Sequence, residues 1–214
     1  MDAGILPVKR LDRAKERLAT HLDDAQRLRI ASALVQDSLE LCVRSDFLRW
    51  WVVSDDPSVL SDATAMGLHA VVDPGGGLNA AVGAAIEAAR ASGATSVTVI
   101  PSDVPLAFEG DLVDLLDTGA TSDVVLVPSE RDGGTNGLFM SPPDLLEPSF
   151  GAGSLQKHLH TAELAGLRCA LLSLPRLSLD IDTVEDVRAY LSKPKHSETH
   201  TSRVLEELAG LVTE

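Results

Sequence analysis

The chain has 214 residues, of which 44% are hydrophobic and only 3% aromatic, so a sizeable α/β core must be built from Ala, Val, Leu and Ile. A formal net charge of −14 argues against nucleic acid and against anionic membrane surfaces as partners, since both call for a broad basic face. Cys42 and Cys169 form no CxxC and no disulfide framework, and both are expected as reduced core residues.

In chain order, "AGILPV" reads as a first buried strand. A helix is expected from Asp23 to Val43, with Leu28, Ala31, Leu34, Val35 and Leu39 at helical spacing and Asp23 or Asp24 as N-cap. "WWVV" is a short strand, "SDDPS" restarts a helix, and "LHAVVD" is a third strand. "GGGLNAAVGAAIEAARASG" is a glycine turn followed by an Ala-rich helix. "SVTVIPSDVPL" is a strand ending in a polar loop, "GDLVDLL" is helical and "SDVVLVPS" is a fifth strand. "RDGGTNGLFMS" is a turn with a short strand after it. "SLQKHLHTAELAG" is helical, "RCALLSL" is a strand, and "LDIDTVEDVRAYL" closes with an extended piece and a helix.

This alternation predicts a mostly parallel sheet covered by helices on both faces, with ligands beyond the carboxyl ends of the strands. The domain is expected over residues 1–191. Residues 192–214 are expected as a polar linker and a short amphipathic helix, docked on the body or on a second subunit, so a homodimer stays open. No apolar run approaches the length that spans a bilayer. The apolar start is short and basic residues follow it, so no signal peptide is expected, and the expected location is the cytoplasm.

Several motifs fall at predicted strand ends. Five of the 18 Lys and Arg residues crowd into nine positions after the first strand: Lys9, Arg10, Arg13, Lys15 and Arg17. Such a loop suits a polyanion such as a triphosphate; the alternative is a solvated helix face. Asp103 in "PSDVP" stands where a hard cation finds a carboxylate, or where a turn finds a cap. In "LDIDT", Asp180 and Asp182 point to one side if the stretch is extended, and paired carboxylates call for a cation between them. The alternative is Asp182 as a helix cap. Together Asp103, Asp180 and Asp182 suit one or two Mg²⁺ ions and in-line attack at phosphorus. The glycines of "RDGGTNGLF", with Thr135, and of "FGAGSLQKH", with Gly151 and Ser154 at a helix start, offer anion sites or ordinary turns. "GGGLNA" matches a dinucleotide fingerprint but follows the third strand and lacks the acidic partner, so NAD is not expected. His158 and His160 share no helix face and receive no role.

In order and spacing, "PVKRLDRAKERL", "GGGLNAAV", "IPSDVPL", "DGGTNGL", "FGAGSLQKH" and "DIDTVEDV" resemble the 2-phospho-L-lactate guanylyltransferase family of coenzyme F420 biosynthesis, whose bacterial relatives use phosphoenolpyruvate. The similarity runs from about Ile5 to Tyr190. It implies a single-domain, three-layer αβα nucleotidyltransferase fold of the molybdopterin-guanylyltransferase type, glycosyltransferase-A-like. It implies Mg²⁺-dependent transfer of GMP from GTP to a small phosphorylated carboxylic acid (phosphoenolpyruvate, 2-phospho-L-lactate or 3-phosphoglycerate), releasing pyrophosphate. The product would be handed to a downstream transferase. By position, Asp103, Asp180 and Asp182 correspond to metal-binding aspartates. Thr135, Gly151 and Ser154 correspond to contacts with the acid substrate. Lys9, Arg10, Lys15 and Arg17 correspond to the triphosphate clamp, and Asn79 to a nucleotide contact. Catalysis is expected from Lys9, Lys15, Arg17 and Asp103. Pro7 and Val8 stand where the wider fold carries a glycine-rich first loop. The alternative is a sugar-phosphate nucleotidyltransferase or glycosyltransferase of the same fold.

Overall fold

The computed structural model describes residues 1–11, 15–129, 131, 133–193 and 198–212. Its strands are β1 (Asp2–Val8), β2 (Arg49–Ser54), β3 (His69–Val72), β4 (Ser96–Val99), β5 (Val124–Pro128), β6 (Thr135–Met140) and β7 (Cys169–Leu171). Its α-helices are α1 (Asp24–Arg44), α2 (Pro57–Ala65), α3 (Leu78–Ala91), α4 (Glu109–Gly119), α5 (Ser154–Leu164), α6 (Val184–Leu191), α7 (His200–Glu207) and α8 (Ala209–Val212). The strands form one sheet in the order β3-β2-β1-β4-β6-β5-β7. Pairing is parallel throughout except at β6, which runs antiparallel to both β4 and β5. No helix among the described residues is long and apolar enough to cross a membrane.

The central strands are apolar on both faces because both faces are covered. Along β1, Ala3 and Ile5 face one core while Leu6 and Val8 face the other. In β2, Trp50 and Val52 join the first core and Trp51 and Val53 the second. Helices α1, α2 and α4 close one side with residues such as Leu39, Val59 and Leu115. The alanine-rich face of α3 closes the other with Ala81, Ala85 and Ala89. Small side chains let that helix approach closely, and Trp51 supplies bulk on that side. Gly4, paired with Trp50 across the strands, shows the fit: a Cβ there would lie 2.3 Å from the Trp50 ring. Asp23 caps α1 in a reciprocal box with Gln26.

The C-terminal helices pack on their own body. Leu205, Leu208 and Val212 enter a third core with Leu18, Leu22, Ile30 and Leu34 on one side and Ile181, Val184 and Val187 on the other. Asp37 of α1 pins the start of α7 by accepting from the His200 and Thr201 N–H groups at 2.9 and 2.8 Å. The apolar face that suggested a partner subunit is therefore covered by α1 and α6 of the same chain. This core also reaches Ile181, between the two aspartates of "LDIDT". Leu205, fully buried, should cost about 3 kcal/mol when replaced by Ala. Chemical denaturation should record that loss as a shift of one cooperative transition, with no early separate melting of the tail.

Candidate active site

Four pieces of chain meet at one edge of the sheet. β1 ends at Val8 and enters the basic stretch, and β4 ends at Val99 before "PSDVP". Because β6 is reversed, its first residues, Thr135 and Asn136, arrive at the edge where β4 ends. The fourth piece is the segment before α6 that bears Asp180 and Asp182. One backbone bond, Ile181 N–H to Asp103 O at 2.9 Å, ties it to the β4 loop. A cavity of about 390 Å³ opens between these pieces.

Lys15 lines this cavity. Its backbone is left-handed, at φ 59° and ψ 35°, and among the described residues no other non-glycine has positive φ. The ammonium donates to Asp103 Oδ2 at 2.9 Å and Asp182 Oδ1 at 3.1 Å, with its side chain only 8% exposed. Arg17 approaches Asp182 Oδ2 at 3.7 Å from solvent. Burial works against charge on Lys15, but Asp103 and then Asp182 outweigh it and hold its pKa above the ordinary lysine value. Burial likewise pushes Asp182 up, yet Lys15, then Arg17 and Lys9, leave it below the usual carboxylate range. Asp180 moves the opposite way. Burial and the like charge of Asp103 raise it, against a hydrogen bond from Asn136 Nδ2 at 3.3 Å.

The turn under Asp182 is built by Asp186. Its Oδ2 accepts from the Asp182 N–H at 3.0 Å, the Thr183 N–H at 2.6 Å and the Thr183 hydroxyl at 2.8 Å, and Arg131 pairs with it. Thr183, not Asp182, is the N-cap of α6, so the Asp182 carboxylate is left for the cavity.

The other expected residues divide. Lys9, Thr135 and Gly151 line the cavity. Ser154 lies behind Thr135, fully buried, and donates to Thr135 Oγ1 at 3.1 Å. Asn79 grips the Phe150 backbone with both ends of its amide, at 3.2 and 2.7 Å, and Phe150 lines the cavity. Arg10 does not line it; the neighbouring Leu11 N–H is anchored by Asp56 at 3.2 Å. Arg13 lies outside the described residues.

Two residues that the sequence reading passed over belong to this arrangement. Asn136 donates to Leu177 O at 3.0 Å as well as to Asp180, and only the reversal of β6 brings it there. His158 is 1% exposed and bonds Thr135 Oγ1 at 3.1 Å. Its signal was its i,i+4 spacing from Ser154, not its proximity to His160.

The three aspartates are not closed into one cage. Among the described residues, one threesome has all its ligand atoms within 4.8 Å: Asp37, Glu40 and His200. These line a larger cavity of about 830 Å³ between α1 and α7. There Asp37 is spent on capping α7, and Arg44, Arg176 and Arg203 pair with Glu109, Asp111 and Glu198. Its charges answer one another. The smaller cavity is lined by Lys9, Lys15 and Arg17 together with Asp103, Asp180 and Asp182.

The solved structures that resemble this chain are of the nucleotide-diphospho-sugar transferase fold and include nucleotidyltransferases. A nucleotide-diphospho-sugar transferase from Desulfovibrio desulfuricans G20 matches with a TM-score of 0.84 at 19% identity, covering 99% of this chain and 96% of that one. The chain belongs to the family described as guanylyl transferase CofC like, whose model matches residues 2–211. The phosphoenolpyruvate guanylyltransferase of Conexibacter woesei is 36% identical over 212 residues, 96% of this chain and 95% of that protein. The 2-phospho-L-lactate guanylyltransferase of Methanothermobacter thermautotrophicus is 34% identical over 208 residues, 96% of this chain and 90% of that protein.

Replacing Lys15 by Met removes the one ammonium between two carboxylates. The expected loss of stability is about 2 kcal/mol, below the ~3–5 kcal/mol of a fully buried pair because solvent screens the partly exposed Asp182. In the parent, the depressed Asp182 contributes stability above its unfolded pKa that drains as pH falls through its folded one. Urea titrations at pH 7 and near pH 3, below the unfolded aspartate pKa of about 3.9, should therefore show the variant's deficit narrowing at the lower pH.

Proposed function

We propose that this chain transfers GMP from GTP to a small phosphorylated carboxylic acid, phosphoenolpyruvate or 2-phospho-L-lactate, within coenzyme F420 biosynthesis in the cytoplasm. The observation that carries this reading is the meeting of Lys9, Lys15 and Arg17 with the carboxylates of Asp103, Asp180 and Asp182 around one cavity that Thr135 and Gly151 also line. Family membership and the names of the curated relatives support guanylyl transfer.

Asp103, Asp180 and Asp182 form an all-oxygen donor set, which suits a hard divalent cation such as Mg²⁺. The raised Asp180 and the ammonium lodged between Asp103 and Asp182 are the marks of negative charge packed more densely than it would stand alone. Bound there, Mg²⁺ would neutralise phosphate charge near the attacking and leaving oxygens.

The chain's own groups divide the remaining work. Lys9, Lys15 and Arg17 hold the triphosphate. Phe150, fixed by Asn79, covers one wall and keeps water from it. Thr135, Gly151 and the start of α5 hold the acid, with Ser154 supporting Thr135 from behind. A phosphate oxygen of the acid then attacks the α-phosphorus of GTP in line. The new P–O bond forms as the bond to the β-phosphate oxygen breaks, and its electron pair leaves with pyrophosphate. No side chain becomes covalently bound, so the gain is positioning and charge stabilisation.

Pyrophosphate release should be measured with GTP, Mg²⁺ and, separately, phosphoenolpyruvate, 2-phospho-L-lactate and 3-phosphoglycerate. Release with at least one acid is expected, lost on chelation and lowered about 100-fold or more in Asp103→Asn. No release with any acid overturns the reading.

A further inference from the structure

The wall that faces the acid contains a hydrogen-bonded chain whose direction can be worked out. The Ser149 N–H donates to His158 Nε2 at 3.2 Å. A backbone N–H can only donate, so Nε2 carries no proton. Burial, and then the charge of Lys157, push the His158 pKa down to about 4, so the ring is neutral at pH 7. Its one proton is therefore on Nδ1, which donates to Thr135 Oγ1 at 3.1 Å.

Ser154 settles the next link. It is fully buried, and among the described residues its hydroxyl has one partner, Thr135 Oγ1 at 3.1 Å. If Thr135 donated to it, the Ser154 hydrogen would be buried without an acceptor. Buried donors are rarely left so, and Ser154 is the donor. Thr135 Oγ1 thus accepts twice, from His158 and from Ser154. Both lone pairs are filled, and its own hydrogen has no acceptor among the described residues. Thr135, 6% exposed, is one of the residues that line the cavity, as are Gly151 and Asp180, so the cavity is the open space left to that hydrogen.

We propose that His158 is a positioning residue that, together with Ser154, locks the Thr135 hydroxyl as an obligate hydrogen-bond donor into the cavity. This rests on the reading of that wall as the acid-substrate side. The wall then accepts an anionic oxygen, phosphate or carboxylate, and disfavours a hydroxyl or amide donor, which would meet an O–H with no lone pair to offer. Phe150, edge-on to the His158 ring at 5.3 Å, shields the chain from water.

Two measurements test this. Long-range ¹H–¹⁵N NMR of the ligand-free protein at neutral pH reads which nitrogen of His158 is protonated, the signal being assigned by its loss in His158→Asn. The Nδ1–H form is expected. An Nε2–H ring or an imidazolium overturns the proposal.

Calorimetric titration with phosphoenolpyruvate and with inorganic phosphate then compares the parent with Thr135→Val, His158→Leu and His158→Asn. Thr135→Val and His158→Leu should weaken phosphoenolpyruvate binding about tenfold, the scale of one charge-assisted hydrogen bond. His158→Asn keeps a donor near the Nδ1 position and should recover most of the affinity, which a merely structural role for the ring would not allow. Parallel weakening of inorganic phosphate assigns the contact to phosphate, and an effect on phosphoenolpyruvate alone assigns it to carboxylate. Unchanged affinity in Thr135→Val, a near-isosteric change, overturns the proposal even if His158→Leu misfolds. Turnover with the wrong tautomer removes this inference and leaves guanylyl transfer standing. The right tautomer and the binding losses without turnover do the reverse.

Discussion

The Lys15 ammonium between Asp103 and Asp182 is the contact on which the rest of the site depends. At about 4 Å and an effective dielectric near 20, two unit charges interact by about 4 kcal/mol. Two carboxylates brought together without a cation would repel on that scale. The ammonium turns the repulsion into attraction and joins three distant parts of the sequence: the loop after β1, the loop after β4 and the segment before α6. A protein of net charge −14 gathers positive charge after its first strand because its carboxylates gather opposite.

Backbone geometry fixes where that contact can form. The hydrogen bond from Ile181 N–H to Asp103 O sets the two acidic segments side by side. Ile181 is itself fully buried in the core that holds α1 and α7, so packing far from the cavity determines where Asp180 and Asp182 stand. Across the cavity the reversal of β6 does the equivalent work. A parallel strand in that place would deliver Met140 to this edge instead of Thr135 and Asn136. The loops between β5 and β6 and before α5 also meet there, through Leu155 N–H to Gly133 O at 3.1 Å.

Much of this was legible in the sequence. Alternating apolar runs and helical periods gave the order of elements because each buried strand must hide two faces. The aspartates of "LDIDT" were legible because their spacing has a charge consequence in almost any extended geometry. Strand direction was not. β6 is apolar on both faces whether it runs up or down, so no residue pattern recorded that Asn136 would reach Asp180. His158 was hidden for a related reason. Its partners, Thr135 on β6 and Ser149 and Phe150 before α5, lie on two other segments, and its nearest sequence companion, His160, is irrelevant to it. Ser154 was marked by the family resemblance as a contact with the acid, and no sequence pattern recorded that its hydroxyl would donate to Thr135. The C-terminal helix showed its apolar face in sequence, but not the surface of α1 that covers it.

The left-handed backbone at Lys15 follows from the same electrostatics. Glycine would adopt that conformation freely, whereas a residue with a side chain pays roughly 1–2 kcal/mol. Glycine would relieve the turn and leave Asp103 facing Asp182. The conformational cost is thus smaller than the repulsion it prevents, and the turn keeps its lysine. A glycine loop would also meet phosphates with backbone amides, which cannot change partners. An ammonium can. On the proposed reading, Lys15 can turn to a triphosphate only when another cation neutralises the carboxylates it leaves. Binding of the polyanion and of a divalent cation are then coupled through one side chain, and by reciprocity each must strengthen the other.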